Sequence, residues 1–310
     1  MNMKRTIVGL GLIALLPFQG LAWSADGHNQ IADIAWSKLT PKAKARLTVI
    51  LNAGEPRFRN SDTRKAWQDA STFSDFMKGN TETIFEPIIP TMNSIFNKDI
   101  ESIGSEGVRC KTWHYYDIPI RFKGAKPGVD TSNAYAALTM AQAELAKTKD
   151  PKMQCWWSYW INHIVGDLHQ PLHCVSNHEH HEEGDAGGNK FMIKSPDQDR
   201  ELRLHGFWDG AIGAAIKADR EAGLSPNIEE VTKRWTSDPT LQPSEKEVKN
   251  LDVMDWINNG AKLADKFAYD GLQPKDKPSS KYLADQLLLC KKQAVLAGYR
   301  LAAIMNKILD

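Results

Sequence analysis

The chain has 310 residues, 42% of them hydrophobic and 25% charged, with 39 basic side chains against 38 acidic ones. That composition suits a folded domain with a sizeable core and excludes a disordered polymer. A net charge of +1 also excludes a sequence-independent basic coat for nucleic acid, so anion binding has to come from a local site.

The chain opens like an export signal. Lys4 and Arg5 supply a positive end, Thr6 to Phe18 form an apolar run too short for a comfortable membrane span, and Gly20-Leu21-Ala22 offers the small residues a signal peptidase needs. Cleavage after Ala22 is expected to leave Trp23 as the mature N-terminus and residues 23–310 as a single domain. The protein would then be exported, to a periplasmic or extracellular space, with no membrane span left. An oxidising space permits disulfides among Cys110, Cys155, Cys174 and Cys290, and the sequence chooses no pairing.

Past the signal the periodicity is helical. Ile31, Ile34, Ala35 and Leu39 line one helix face. Thr40-Pro41 caps and opens the next helix, which Gly54 ends. Further helices are expected from about Asp62 to Met77, Ser132 to Lys147, Met153 to Leu168, Leu251 to Phe267 and Lys281 to Leu309. Irregular stretches are expected at Gly79 to Gly107, Ser176 to Asn189 and Gly271 to Ser280, and a short hairpin joins Lys190–Ile193 to Glu201–Leu204. With no repeat or composition break, the fold class is a mainly α, multi-helix single domain with at most a short β-hairpin.

The most specific pattern is His163-Ile-Val-Gly-Asp167-Leu-His-Gln-Pro-Leu-His173. His163 and Asp167, four apart, share one helix face, Pro171 ends the helix, and His173 folds back from the turn. His205 and Asp209 repeat the four-residue spacing. One such pair is usually a surface hydrogen bond. Two pairs and a third His in apolar surroundings point instead to divalent metal, because buried His and Asp need partners. His114 in Trp-His-Tyr-Tyr-Asp and His28 add two more imidazoles. His178, His180 and His181 lie in an acidic loop bounded by glycine and read as solvated surface.

Trp23 to His28, Ala70-Ser-Thr-Phe-Ser-Asp75, Trp113-His114-Tyr-Tyr-Asp117, His163 to His173, Gly184-Asp-Ala-Gly-Gly-Asn189, Leu204-His205-Gly-Phe-Trp-Asp209 and Ala297-Gly-Tyr-Arg-Leu301 occur in one order. In that order and over nearly the whole mature chain, the sequence resembles the zinc-dependent S-one/P-one nucleases. The resemblance implies a secreted, mostly α-helical phosphodiesterase with three Zn2+ ions, acting on single-stranded DNA, RNA and 3′-nucleotides, with no stable protein partner. The related zinc-dependent phospholipases C share the scaffold and are the alternative. Trp-Ser-Ala leans toward that branch, whereas His28 and the final Asp209 lean away from it.

Carried over residue by residue, the resemblance implies that Asp75, His114 and His163 hold one zinc and that Asp167 bridges it to a second. Trp23, through its α-amino nitrogen and carbonyl oxygen, and His28 complete the second, while His173, His205 and Asp209 hold the third. Asp69 in Ala-Trp-Gln-Asp is a competing match for Asp75. Asp75 is preferred because Ala70-Ser-Thr matches better and because Lys78 then falls where the family has a cation that steadies the transition state. Asp117 would orient the attacking water and Tyr115 would stack on a base. The expected reaction is in-line attack of activated water on phosphorus, giving 5′-phosphate products.

Overall fold

A computed structural model of the chain describes residues 23–54, 59–77 and 112–310. The signal segment 1–22, Lys78, Cys110 and the expected irregular stretch from Gly79 to Gly107 lie outside the described residues. Twelve α-helices and four three-residue strands are present among the described residues, in keeping with the mainly α class. No helix among them is long and apolar enough to cross a membrane.

Helix α1 (Ala25–Lys38) and α2 (Pro41–Asn52) meet at Thr40, whose hydroxyl accepts from Ala43 N–H just ahead of Pro41. Where one helix is expected from Asp62 to Met77, two form, α3 (Thr63–Ala70) and α4 (Phe73–Met77). The break has a local cause: the Ser71 and Thr72 hydroxyls donate to the Gln68 and Asp69 carbonyls, competing with the helical ladder. After strand β1 (Ile118–Ile120) come α5 (Ala134–Lys147) and α6 (Pro151–Asp167). Asp150 caps α6 through Lys152 N–H, and nearly every residue from Met153 to Asp167 is buried. The helix stops four residues before Pro171, which instead opens a 3-10 turn, Pro171–Cys174.

Strand β2 (Val175–Asn177) pairs in parallel with β1, Ile118 opposite Val175. Strands β3 (Met192–Lys194) and β4 (Glu201–Arg203) form the expected hairpin and lead into α7 (Leu204–Asp209). Then follow α8 (Ala211–Glu221), α9 (Ile228–Ser237), α10 (Glu245–Lys249) and α11 (Val253–Leu263). Helix α11 continues as a π turn, Ala264–Tyr269, and α12 (Ser280–Leu309) closes the chain.

Helix α12 packs along α1 and α5 packs along α6. Gly298 permits the first contact, since a Cβ there would lie 2.4 Å from Ile34 Cγ2 and 2.6 Å from Ile34 Cβ. Gly298→Ala should gain about 1 kcal/mol of helix propensity yet lose about 1–3 kcal/mol or more to overpacking against a stiff, fully buried Ile34. A net loss of stability is therefore expected, and a denaturant titration measures it.

The disulfide expectation fails for the three described cysteines. Cys155, Cys174 and Cys290 are buried free thiols. Their sulfurs face different neighbours: a Cβ on Gly54 would strike the Cys155 sulfur, and one on Gly260 would lie 2.5 Å from that of Cys174. Burial pushes the Cys155 thiol up to about 12, and pushes Cys174 and Cys290 upward as well. Such thiols are packing groups and not redox groups.

Candidate metal centre

Helix α6 is the axis of the site. Its last turn carries His163 and Asp167, both fully buried, and four other segments bring side chains to them. From α1, His28 Nε2 lies 3.2 Å from Asp167 Oδ1. From the segment before β1, His114 Nδ1 lies 3.0 Å from Asp167 Oδ2 and 2.9 Å from His163 Nε2. From α4, Asp75 lies 3.7 Å from His163 and 3.9 Å from His114. From the 3-10 turn, His173 Nδ1 lies 3.9 Å from Asp167. Asp69, the competing match, pairs with Lys65 on the surface of α3.

The approach of α1 to α6 depends on Gly166, where a Cβ would meet His28 Nδ1 at 2.8 Å. Next to it, the buried Trp23 indole donates to the Gly166 carbonyl at 2.9 Å, and Ser24 N–H donates to the Asp209 carbonyl at 3.0 Å. The chain at Trp23 and Ser24 is thereby tied to both His/Asp pairs. Helix α7 supplies the second pair: His205 Nε2 lies 3.5 Å from Asp209 Oδ2, and His173 Nε2 lies 3.8 Å from Asp209 Oδ1.

Backbone carbonyls set the imidazole tautomers. The Nδ1 atoms of His163, His173 and His205 lie 2.7, 2.6 and 2.6 Å from the carbonyls of Ser71, His114 and Gly187. A carbonyl only accepts, so each Nδ1 carries the proton and each Nε2 presents a lone pair inward. Three sets of donor atoms thus converge, each within 4.8 Å: His28, Asp75 and His163; His114, His163 and Asp167; His173, His205 and Asp209.

Metal fits these residues better than protein hydrogen bonds do. Both ring nitrogens of His28 and Oδ1 of Asp167 are buried with no hydrogen-bond partner, although two of them stand 3.2 Å apart. Leaving such groups unsatisfied costs about 1–3 kcal/mol each, and a divalent ion satisfies several at once. Burial keeps His28 below its ordinary pKa, with His163 adding to the effect, so it stays a neutral ligand. Burial pushes the Asp167 carboxyl up, but the neighbouring His163 and His173 rings and a hydrogen bond from His114 hold it well below the ordinary range. Imidazole and carboxylate without thiolate form a donor set suited to zinc.

Residues 23–310 match the family described as S1/P1 Nuclease. The chain belongs to the S1/P1 nuclease family. It is similar to Endonuclease 4 of Arabidopsis thaliana, at 29% identity over 93% of this chain and 89% of that protein. It is also similar to Endonuclease 2 of the same plant, at 23% identity over 92% and 90%. Membership makes this chain a nuclease, a hydrolase, in a family that depends on metal.

In this S1/P1 nuclease, Tyr115 and Asp117, which follow His114 in the chain, line a cavity of about 250 Å³ with Asp130, Ser176, His178 and Glu182, and none of the metal donors lines it. Burial, with Asp185 nearby, raises the Asp117 carboxyl from 3.8 to about 7. The folded state therefore holds this proton up to about pH 7 whereas the unfolded chain has released it. Stability supplied by the protonated form is lost as pH rises from about 4 to about 7, by on the order of 2–4 kcal/mol. Asp117→Asn should remove that fall in metal-free protein, which denaturant titrations at pH 4.5 and 7.5 (about the two ends of the window) would measure.

His178, His180 and His181 belong to none of the three donor sets, and His178 instead bonds the Glu182 carbonyl. Gln170 was legible as part of the His163–His173 run but not as a contributor. Its amide donates to Asp209 Oδ1 at 2.8 Å and accepts from Leu172 N–H at 2.7 Å, tying the His173 turn to α7. The carbonyls of Ser71 and Gly187 were equally hidden, because a carbonyl leaves no mark in a sequence.

Proposed function

We propose that this S1/P1 nuclease is an exported, zinc-dependent phosphodiesterase that hydrolyses single-stranded DNA and RNA, and 3′-nucleotides, to products with 5′-phosphates. The observation that carries the reading is the convergence of lone pairs from three buried His/Asp groups. Asp75, His114, His163 and Asp167 would hold one ion; Trp23, His28 and Asp167 a second; His173, His205 and Asp209 a third. Zinc bound there supplies Lewis acidity, which acidifies water and offsets charge on a phosphate ester.

The chain's own groups do the rest. Asp117, with its raised pKa, is suited to orient a water and take its proton near neutral pH. Tyr115 offers an aromatic wall to a base, and a wall that reads only a π-face accepts any base but needs it unpaired, which favours single strands. Lys78 would add positive charge beside the phosphate oxygens. Trp160 stands edge-on to His114, and Trp113 and Trp156 stand edge-on to Trp160; this buried aromatic packing beside His114 lowers the local dielectric and strengthens the interactions there.

Zinc-loaded protein beginning at Trp23 should be assayed in parallel on single-stranded DNA, RNA, 3′-AMP and phosphatidylcholine. Cleavage of the first three and not the lipid is expected. Cleavage of lipid alone would assign the protein to the phospholipase C branch.

A further inference from the structure

The Gly184–Asn189 loop supplies none of the three metal-donor sets, yet it is shaped around one of their members. Gly184, Ala186, Gly187 and Gly188 all have positive φ, of 80°, 53°, 62° and 83°. For Ala186 that is a strained conformation, which persists only where the surroundings impose it. The result is a pair of carbonyls turned onto one residue: Gly187 O accepts from His205 Nδ1 at 2.6 Å, and Gly188 O accepts from His205 N–H at 3.3 Å. Neither glycine tolerates a side chain easily, since a Cβ on Gly187 would lie 2.4 Å from the Leu172 carbonyl.

Asp185 is what holds this shape. It is buried, with Oδ1 accepting from Asn177 N–H at 2.9 Å and Oδ2 accepting from the Tyr269 hydroxyl at 2.7 Å. Asn177 ends β2, the strand that directly follows His173. Tyr269 ends the π turn, a rare geometry that recurs at functional sites. One carboxyl group thus fastens the loop that grips His205 to the strand that follows His173. The two rings stack with centroids 4.8 Å apart.

We infer that Asp185 is a positioning residue for the third His/Asp group: by clamping its loop to β2 and Tyr269 it presents the Gly187 carbonyl to His205 and so sets which ring nitrogen faces Asp209. The zinc part of this inference rests on the proposed function, and the tautomer part does not. The test uses Asp185→Ala, Asp185→Asn and Tyr269→Phe in protein beginning at Trp23. Two quantities are read: the ring 15N shifts of His205 in metal-free protein, and the zinc affinities by chelator competition.

Wild-type His205 should show the Nδ1–H tautomer. Asp185→Ala should show mixed tautomers and bind one zinc about 10- to 100-fold more weakly, with the other affinities unchanged. Tyr269→Phe, which removes one hydroxyl, should move both readouts in the same direction. Asp185→Asn should stay near wild type, because its amide accepts from Asn177 N–H and donates to the Tyr269 oxygen. If Asp185→Ala does not fold, Tyr269→Phe decides on the same readouts. An unchanged tautomer with unchanged affinities, and only a lower Tm, would reduce Asp185 to a structural residue and overturn the inference. A wild-type protein that binds no zinc would instead count against the proposed function, while the tautomers still decide the positioning role.

Discussion

Asp167→Asn is expected to lower zinc content from about three ions per chain to about one and to cut kcat/KM at least about 1000-fold, or about 4 kcal/mol of transition-state stabilisation. The residue sits where His28, His114 and His163 meet, at 3.0 to 3.2 Å from each. Asparagine preserves shape and removes the charge. Two close dications then repel without an anion between them, and the loss reaches both of their sites. His173, His205 and Asp209 keep their own carboxylate and should keep their ion. Metal analysis and steady-state kinetics on the same preparation provide the check, and normal zinc content with a normal rate would remove Asp167 from the centre.

A single glycine placed before Trp23 is expected to cost about one zinc per chain and most of the nuclease activity, compared with protein beginning at Trp23. The indole of Trp23 is buried on the Gly166 carbonyl, and the next residue is tied to Asp209, so the backbone here has little freedom to move. A free α-amine has a pKa of about 7.7–8.0, low enough for zinc to displace its proton near neutrality, and the adjacent carbonyl closes a five-membered chelate. A peptide nitrogen does neither. Removal of the signal would then complete the enzyme, leaving the unprocessed chain nearly inert toward RNA. Equal zinc content and equal rates in the two proteins would rule out the N-terminal ligand.

The two short-range pairs were the most legible features of the site. Four residues of separation put His163 beside Asp167 and His205 beside Asp209 wherever the chain is helical, and both pairs fall on helices. The long helices were legible for a similar reason, because periodic burial and caps such as Thr40, Asp150 and Ser279 act within a few residues. The β1–β2 pair was not legible, since three-residue strands joined across 57 positions carry no periodic signal. Neither was the break at Ser71 and Thr72, where two hydroxyls divert a sequence that otherwise continues as helix. That Cys155, Cys174 and Cys290 stay free thiols was not legible either, because enclosure by different neighbours is a tertiary fact.

The sequence alone determined a mainly α domain and a set of seven His and Asp side chains with the chemistry to hold metal: His28, His114, His163, Asp167, His173, His205 and Asp209. Only the tertiary structure decided that six segments bring them together and that Asp75, rather than Asp69, is among them. It also decided which ring nitrogens point inward, through the carbonyls of Ser71, His114 and Gly187. The physical reason is one of range. Helix formation and i, i+4 neighbours depend on residues within a turn or two of each other. The direction of a lone pair instead depends on a backbone group that arrives from 18 to 92 residues away and has the same chemistry at every position.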